Sequence, residues 1–413
     1  MMRNQKGKSG WPLDLKKAVY LLTLFSFSVI SANSQDVWPT QGWAKTSPNK
    51  VNLIADSLAA LDRDFASGKY GHVDGMLIIR HGRVAYEKSY SHHYAEIYQG
   101  EATKKSGLNA TDPTGPYNYF SSWWHPFYHG SNLHTLQSVT KTVTSMIIGV
   151  AVTRKEFPFL DTPVLSFFDT STVKNIDDRK RRMTIRHLLT MTAGFDWHEN
   201  LPYSDPNNSC SNMEASFDWV KFTIDQPMSD EPGKVFNYNS GATELLAHIF
   251  RLATGQDIEE YAVKHLFTPL GINNHFWKRS PYGLIDTEGG LYLEKSDLAK
   301  LFYLFLKNGK WETKQILNTD WISQSVSPYI KFGPNSGYGY KWWLGSYGSK
   351  PAEVTWGGNG FGGQFPIIIP EYDMVVVFNA WDIFPSAQTR NYNPDFLVKK
   401  VLNAVVEYHE KKK

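Results

Sequence analysis

Cysteine is nearly absent from this chain: of 413 residues, only Cys210 carries a thiol. A single thiol excludes an internal disulfide and any metal site built from several cysteines. Cys210 lies in a stretch rich in Ser, Asn and Pro, which predicts a lone thiol in a loop. A chain of this length does not need disulfides, because it can bury a core large enough to be stable without them.

The sequence also has little net charge, a formal +3. The first 34 residues carry five basic side chains and one acidic one, a sum of +4, which leaves −1 for the remainder. These residues are Arg3, Lys6, Lys8, Lys16, Lys17 and Asp14. The remainder therefore offers no basic surface for a phosphate backbone, and we predict no nucleic-acid partner.

The apolar stretch at residues 18–30 is too short to cross a bilayer comfortably. It follows two lysines and precedes the small residues Ala32 and Ser34, an order typical of a secretory signal peptide. We predict that residues 1–34 are a signal peptide, so that the mature protein is periplasmic or secreted and has no stable membrane insertion. An uncleaved anchor is the alternative, because Thr and Ser residues weaken the apolar stretch.

Several familiar motifs are missing or misplaced. The G-x-S-x-G elbow of α/β-hydrolases does not occur. Residues 358–363 match G-x-G-x-x-G, but a strand-like segment follows where a dinucleotide site needs a helix. His125, His129 and His134 fit no standard zinc spacing, and we expect no carboxylate to join them. We therefore predict no metal and no cofactor.

Against these absences stands the segment Ser138-Val139-Thr140-Lys141, which opens the apolar run at residues 143–152. If that run is a helix, Ser138 and Lys141 share a face, so an amine lies beside a hydroxyl. A lysine can activate a serine in this way if burial and neighbouring positive charge keep part of its population neutral. The backbone N–H groups of the first helical turn favour negative charge on the serine oxygen.

The segment at residues 134–141 resembles the serine β-lactamase and penicillin-binding-protein superfamily. The relevant branch holds class C β-lactamases, D-alanyl-D-alanine peptidases, family VIII esterases and 6-aminohexanoate-dimer hydrolases. Further segments resemble that branch in the same order along the chain: residues 183–194, 232–240, 289–298 and 356–363. Together these similarities cover residues 48 to 405, nearly all of the predicted mature chain.

The resemblance implies an α+β fold of the β-lactamase type, with an antiparallel sheet flanked by terminal helices and a mainly helical lobe inserted at about residues 135–280. The hydrophobic patterns agree with it. Residues 76–86 read as a hairpin, 364–369 and 374–380 as paired strands, and 395–413 as a closing amphipathic helix. We predict one hydrolase domain over residues 35–413.

The expected chemistry is acyl transfer. Ser138 Oγ attacks an acyl carbon, while Lys141 and Tyr238 accept its proton and return one to the leaving group. The phenol of Tyr238 becomes a useful base if the cation of Lys141 lowers its pKa. By register with the family's last motif, the backbone N–H groups of Ser138 and Gly358 form the oxyanion hole.

Two departures from the family bear on the substrate. Where penicillin-recognising members have Tyr-x-Asn, this chain has Tyr238 followed by Asn239 and Ser240. Ser240 is expected to hydrogen-bond the nucleophile, Lys141 or a substrate amide, or else to cap the following helix.

The second departure is the third motif. Alignment without gaps places Thr355-Trp356-Gly357 where K-T-G or H-T-G would stand, and we predict that these residues contact substrate. A threonine cannot supply the positive charge that holds a penicillin carboxylate. Turnover of β-lactams is therefore in doubt unless another cation, such as Lys341 or Arg390, replaces the missing one.

Aromatic residues crowd the insertion at residues 94–128 just before the nucleophile, and residues 196–199 form a second candidate wall of the site. The aromatics either line a substrate site or pack over the helical lobe. They are Tyr117, Tyr119, Phe120, Trp123, Trp124, Phe127 and Tyr128.

The sequence thus predicts an exported serine hydrolase that cleaves a small ester or amide through an acyl-enzyme on Ser138. A β-lactamase or D-alanyl-D-alanine carboxypeptidase is the alternative among enzymes. The alternative from another class is a non-catalytic penicillin-binding or sensor module. The natural substrate and the oligomeric state stay open.

Overall fold

The protein is described by a computed structural model, which covers residues 38–102, 126–203, 205–384 and 392–411. The predicted signal peptide, Arg390 and most aromatics of the insertion lie outside these ranges. The helices are α1 (Ala55–Ala66), α2 (Tyr94–Ile97), α3 (Gln99–Ala102), α4 (Val139–Thr153), α5 (Asp178–Arg182), α6 (Ile185–Leu189), α7 (Ser209–Glu214), α8 (Trp219–Ile224), α9 (Gly241–Thr254), α10 (Ile258–Ala262), α11 (Lys295–Leu306), α12 (Thr319–Ser325), α13 (Pro394–Leu402) and α14 (Val406–Glu410).

The strands form one large sheet and two small ones. They are β1 (Val73–Arg80), β2 (Arg83–Ser89), β3 (His134–Thr135), β4 (Phe276–Trp277), β5 (Leu291–Leu293), β6 (Lys310–Trp311), β7 (Lys314–Gln315), β8 (Ile330–Gly333), β9 (Ser336–Tyr338), β10 (Trp343–Ser346), β11 (Val354–Gly357), β12 (Phe365–Ile369) and β13 (Met374–Ala380). The large sheet is antiparallel, in the order β2-β1-β13-β12-β11-β10-β9-β8. A second sheet has the order β3-β5-β4.

Strand β1, the second strand of the large sheet, is buried along its whole length because it has a hydrophobic core on each side. Successive side chains of a strand point to opposite faces. Accordingly, Leu77 and Ile79 enter the larger core, whereas Met76 and Ile78 enter the smaller one. The first hairpin therefore forms one edge of the sheet, with β2 outermost and β1 paired with β13, the last strand.

The two cores divide the helices. The smaller core holds the apolar faces of the terminal helices α1 and α13. The larger core holds α4 and α9, from the mainly helical segment between β3 and β4. This arrangement confirms the predicted α+β class, an antiparallel sheet flanked by terminal helices with a helical lobe inserted.

Two local predictions were wrong. Cys210 is not in a loop: it lies in α7 and is buried, because Asn208 caps that helix by accepting a hydrogen bond from the Ser211 N–H. The closing helix is split into α13 and α14, which Asn403–Val405 separate. Within the described ranges, no helix combines the length and the apolar character needed to cross a bilayer.

Helix α4 is buried on nearly every side, as expected for a helix that is apolar around its circumference. One of the helices that it packs against is α12. A Cβ atom built on Gly149 would lie 2.2 Å from the Trp321 Nε1 atom, so the two helices approach closely only because residue 149 has no side chain.

We expect Gly149→Ala to lower the free energy of unfolding by about 1–2 kcal/mol. Alanine favours a helix over glycine by about 1 kcal/mol, but overpacking a tight core costs about 1–3 kcal/mol and outweighs it. Urea unfolding measures the difference. In a Trp321→Leu background the same change should be neutral or stabilising, and a stabilising Gly149→Ala in the otherwise unchanged protein would contradict the close packing.

Candidate active site

Ser138 and Lys141 lie together, as the spacing predicts. Ser138 precedes the first residue of α4 with helical backbone angles, φ −60° and ψ −9°. The Lys141 Nζ atom donates a hydrogen bond to Ser138 Oγ at 3.0 Å. Ser138 is half-buried, whereas Lys141 is 1% exposed, so the amine is held beneath the hydroxyl and away from bulk water.

Tyr238 completes this group from the loop that precedes α9. Its hydroxyl is hydrogen-bonded to Ser138, and its ring centroid lies 5.2 Å from Lys141 Nζ. Burial raises the pKa of Tyr238, and although Lys141 acts in the opposite direction the pKa stays above its ordinary value. At neutral pH the side chain is therefore a phenol, a proton donor, and the expected lowering of its pKa does not occur.

The amine has a second partner that the motifs did not indicate. Lys141 Nζ donates to the Glu288 carbonyl oxygen at 2.7 Å and to Glu288 Oε2 at 2.8 Å. Burial by itself would lower the pKa of Lys141, but the Glu288 carboxylate, with Tyr238 and Glu199, holds it well above its ordinary value. Lys141 is thus an ammonium ion, not the partly neutral amine that the sequence led us to expect.

Glu288 sits on a layer of buried ionisable groups. Burial raises the pKa of Glu214 well above its ordinary value, and a hydrogen bond joins it to Glu288. Burial would also raise the pKa of Glu288, but Lys141 and the Glu214 hydrogen bond bring it below the ordinary value. Burial moves the pKa of Asp286 up to about 7 and that of Lys278 down to about 8. The carboxyl groups of Glu214 and Glu288 therefore share one proton, which Glu214 holds.

The two glycines after Glu288, Gly289 and Gly290, allow the chain to pass close to Asp286. A Cβ atom on Gly290 would lie 2.7 Å from the Asp286 Cβ, so only glycine lets the turn into β5 pass that side chain. The backbone N–H of Gly289 donates to Asp286 Oδ1 at 2.8 Å. The Gly-Gly pair thereby places the Glu288 side chain against α4.

Ser240 contacts neither the nucleophile nor Lys141, and it does not cap α9 through its side chain. Its hydroxyl donates to Glu199 Oε1 at 2.6 Å, and its N–H donates to Glu199 Oε2 at 2.7 Å. The Asn239 side chain caps α9 instead, accepting from the Ala242 N–H at 2.8 Å. Ser240 therefore anchors the Tyr238 loop to a buried carboxylate from the 196–199 segment.

The third motif is shifted by one residue from its expected register. The Gly358 N–H, the predicted oxyanion donor, instead donates to the Pro366 carbonyl of β12 at 3.1 Å. A Cβ atom on Gly358 would lie 3.0 Å from a methyl group of Val139, the neighbour of Ser138, so this face of β11 is turned toward the start of α4. Trp356 shares that face, because alternate residues of a strand point the same way.

Thr355 and Gly357 consequently point to the opposite face. A Cβ atom on Gly345 of β10 would lie 2.5 Å from Thr355 Oγ1, and both residues line a cavity with Asp395 near the start of α13. The cavity is about 230 Å³ in volume. Thr355 is therefore not at the position where a K-T-G lysine would stand; Trp356 is.

The shift also bears on the expected oxyanion donor. Gly358 and Gly360 both direct their N–H groups to β12 and the turn before it, onto Pro366 and Gln364. Asn359, between them, is exposed, and alternation turns its N–H toward the opposite side. The Asn359 N–H is therefore not directed to β12.

Lys341 lies close to the site but is buried, 1% exposed. Its Nζ atom contacts the Met191 sulfur at 3.2 Å, and its backbone is left-handed with φ 63°. Burial lowers the pKa of Lys341 well below its ordinary value, and the nearby Lys141 lowers it further. Because the Lys341 amine is shielded from solvent, it does not replace the missing cation of the third motif.

Aromatic side chains surround Tyr238. The Tyr238 ring stacks on Trp343 with centroids 6.0 Å apart, and Phe236 packs edge-on against Phe332 at 5.1 Å. Phe332 is 51% exposed, so this surface is open to solvent. Of the insertion aromatics within the described ranges, Tyr128 packs away from this surface by stacking on Phe276 at 3.8 Å.

Two of the three histidines, His129 and His134, lie within the described residues, and their surroundings differ. His134 Nε2 lies 3.0 Å from Asp74 Oδ2, contrary to the expectation that no carboxylate joins these residues, whereas His129 is exposed. Among the described residues, one group has ligand atoms within 4.8 Å of one another, namely Cys210, Glu214 and Glu288. Lys141 already neutralises Glu288 there, so this group is not well suited to a cation.

With this geometry established, comparison with known proteins identifies relatives. A family model described as Beta-lactamase matches residues 70–394. Esterase EstB of Burkholderia gladioli is 26% identical over 252 residues, which is 56% of this chain and 54% of EstB. The monacolin J acid methylbutanoyltransferase of Aspergillus terreus is 26% identical over 117 residues, 28% of each chain. The alignments thus span about half of EstB and about a quarter of the transferase.

Solved structures agree on the fold. A protein from Bacillus anthracis described as a 6-aminohexanoate-dimer hydrolase superposes with a TM-score of 0.61. The superposition covers 91% of this chain and 90% of that one at 17% identity. At that identity the likeness shows a common architecture.

We expect Lys341→Met to stabilise the protein at pH 7 by about 1–3 kcal/mol, because it removes an amine whose burial outweighs its attraction to the Glu199 carboxylate. The lowered pKa means that the unfolded chain binds the extra proton. The gain should therefore shrink as pH rises toward 10. Urea unfolding at both pH values measures it.

Lys180→Met is the matched control. Lys180 is also buried, but its Nζ atom donates to the carbonyl oxygens of Lys174, Ile224 and Gln226. That substitution leaves three acceptors without a donor and should destabilise. Equal effects of the two substitutions would contradict the distinction between the two amines.

Proposed function

This chain belongs to the beta-lactamase family of serine hydrolases, as its motifs predicted, and we propose that it is an exported enzyme that cleaves an ester or amide bond through an acyl-enzyme on Ser138. The observation that carries the proposal is the hydroxyl of Ser138, which Lys141 Nζ contacts at 3.0 Å and Tyr238 also hydrogen-bonds. A non-catalytic module would have no need to retain this arrangement.

The reaction follows from the groups around that hydroxyl. Ser138 Oγ attacks the acyl carbon, and the oxyanion is held by the backbone N–H groups of Ser138 and Asn359. Tyr238, protonated at neutral pH, donates a proton to the leaving alkoxide or amine. Water then attacks the acyl-enzyme, and the same groups reverse their roles to release the acid.

The surroundings favour an uncharged substrate with an apolar part. Trp356, not a lysine, stands at the third-motif position on the face that meets Val139. The open aromatic surface of Phe236, Phe332 and Trp343 adjoins Tyr238, the proposed donor to the leaving group. EstB, an esterase, is in keeping with this reading. Export rests on the apolar stretch at residues 18–30 and small residues after it.

Ser138→Ala should abolish acylation while leaving the fold intact, because Ser138 Oγ is the proposed attacking atom. Incubation with a fluorophosphonate, followed by intact mass and peptide mapping, should show one adduct on Ser138. Circular dichroism of the variant controls for folding. An adduct on another serine, or p-nitrophenyl ester turnover by Ser138→Ala at the wild-type rate, would refute the assignment. A burst without turnover would favour the non-catalytic module.

The specificity prediction concerns Trp356. The wild type should hydrolyse p-nitrophenyl butyrate with a much higher kcat/KM than nitrocefin or benzylpenicillin. The reason is that a substrate carboxylate lacks a charge-assisted contact worth about 1.5–3 kcal/mol, or about one to two decades in rate. Trp356→Lys should reduce the difference in kcat/KM between the ester and the β-lactams. Thr355→Lys, on the other face of β11, should leave that difference unchanged. Penicillin hydrolysis by the wild type at the rate of the esters would overturn this reading.

A further inference from the structure

The geometry leaves the proton of Ser138 without an acceptor in contact with it. Lys141 Nζ is an ammonium ion, and Tyr238 is a phenol, so both groups that touch the hydroxyl already carry a proton. Neither can act as a base in its resting form. The carboxylate that can take up a proton, Glu288, lies one step further, on the other side of the Lys141 amine.

We propose that Glu288 accepts, through Lys141, the proton that Ser138 releases when it is acylated. The inference rests on the proposed function, because it needs Ser138 as nucleophile. It assigns Glu288 as a positioning residue that acts through Lys141 and touches no substrate. Ser138, Lys141 and Glu288 then form a relay in which the amine bridges the hydroxyl at 3.0 Å and the carboxylate at 2.8 Å.

The step balances in protons and charge. One N–H proton of Lys141 first moves to Glu288 Oε2, which leaves Lys141 as a neutral amine with a free lone pair. As the bond from Ser138 Oγ to the acyl carbon forms, the Oγ–H bond breaks and its proton moves to that lone pair. The products are an oxyanion on the substrate, a re-formed ammonium ion and a neutral Glu288 carboxylic acid. When the leaving group departs with the Tyr238 proton, Glu288 returns its proton through Lys141 to the Tyr238 oxygen.

Other buried carboxyl groups are engaged elsewhere. Glu199 accepts from the Ser240 N–H and hydroxyl and from Trp197 Nε1. Glu244 Oε1 accepts from the N–H and hydroxyl of Thr287 and from the Glu288 N–H. Glu288 is the carboxylate within the described ranges that forms an ion pair with Lys141.

Glu214 stabilises the charged form of Glu288 through a hydrogen bond. The pair Glu214 and Glu288 shares one proton, and the ion pair with Lys141 directs the negative charge to Glu288. The hydrogen bond from Glu214 steadies that charge without a second cation. In a dry site, transfer of a proton across a Lys–Glu pair cancels two opposite charges, so burial lowers the cost of the step.

The titratable groups with the largest influence on the pair, among the described residues, are buried in the same region. The groups that act on Lys141 or Glu288 are Tyr238, Glu199, Cys210, Glu214, Asp286, Lys278, Glu244, Lys341, Tyr203 and Tyr338. Their contributions are the same in the wild type and in the two Glu288 variants below, so a change in pH profile between these proteins reports on residue 288.

The test is the pH dependence of kcat/KM for p-nitrophenyl butyrate in Glu288→Gln. Glutamine keeps the shape and a hydrogen-bond acceptor but cannot take a proton. At pH 7 we expect a loss of about 10²-fold or more. The wild-type profile should be flat above about pH 5, since Glu288 is ionised there. In Glu288→Gln the rate should rise with pH, because Lys141 must lose its own proton, and its pKa falls without the carboxylate.

Two matched variants separate the relay from structural damage. Glu288→Asp keeps the charge and should retain the flat profile with a lower kcat. Glu244→Gln alters a buried carboxyl of the same region and should leave the profile flat. A Glu288→Gln enzyme with the wild-type profile and rate overturns the inference, as does a rising profile in Glu244→Gln. If Glu288→Gln fails to fold, a Glu288→Asp enzyme whose rate rises with pH overturns it equally.

The outcome is distinguishable from failure of the proposed function. If the Ser138→Ala variant remains active, both the proposed function and the role of Glu288 are overturned. Inactive Ser138→Ala together with a flat profile and unchanged rate in Glu288→Gln overturns the role of Glu288 alone.

Discussion

The structure of the site depends on one constraint, the burial of the Lys141 ammonium ion. An unpaired charge in this position would cost several kcal/mol, more than most single interactions in a protein can return. Glu288 meets the constraint with a carboxylate at 2.8 Å and a backbone carbonyl at 2.7 Å. The Lys141–Glu288 ion pair is surrounded by three supporting features. They are the turn at Gly289 and Gly290, the protonated Glu214, and the Tyr238 loop that Ser240 anchors to Glu199.

The buried acidic and basic side chains around Glu288 differ in their protonation states. Glu288 is ionised and Glu214 is protonated, while Asp286 and Lys278 have pKa values moved toward each other, to about 7 and about 8. Such pairs titrate as units rather than as separate residues. The region therefore carries few net charges near neutral pH, although it contains many ionisable side chains.

Much of this could be predicted from the sequence. The Ser-x-x-K spacing and the order of the motifs gave the family, the fold and the contact between Ser138 and Lys141. The role of Glu288 could not be predicted, because contact with α4 depends on a turn far along the chain. Its position directly before the Gly-Gly pair was the signal available. The third motif was placed one residue out, since without the pairing of β11 with β12 no pattern distinguishes Thr355 from Trp356 as the inward residue.

The small sheet formed by β3, β5 and β4 has a consequence for how the protein folds. Lys141 and Glu288 are separated by 147 positions, and the pairing of β3 with β5 brings their segments together. Helix α4 is apolar enough to collapse early into a core, yet doing so would bury a cation before its partner arrives. We therefore expect stable docking of α4 to require a contact of long sequence separation, so that Ser138 reaches its final position late in folding.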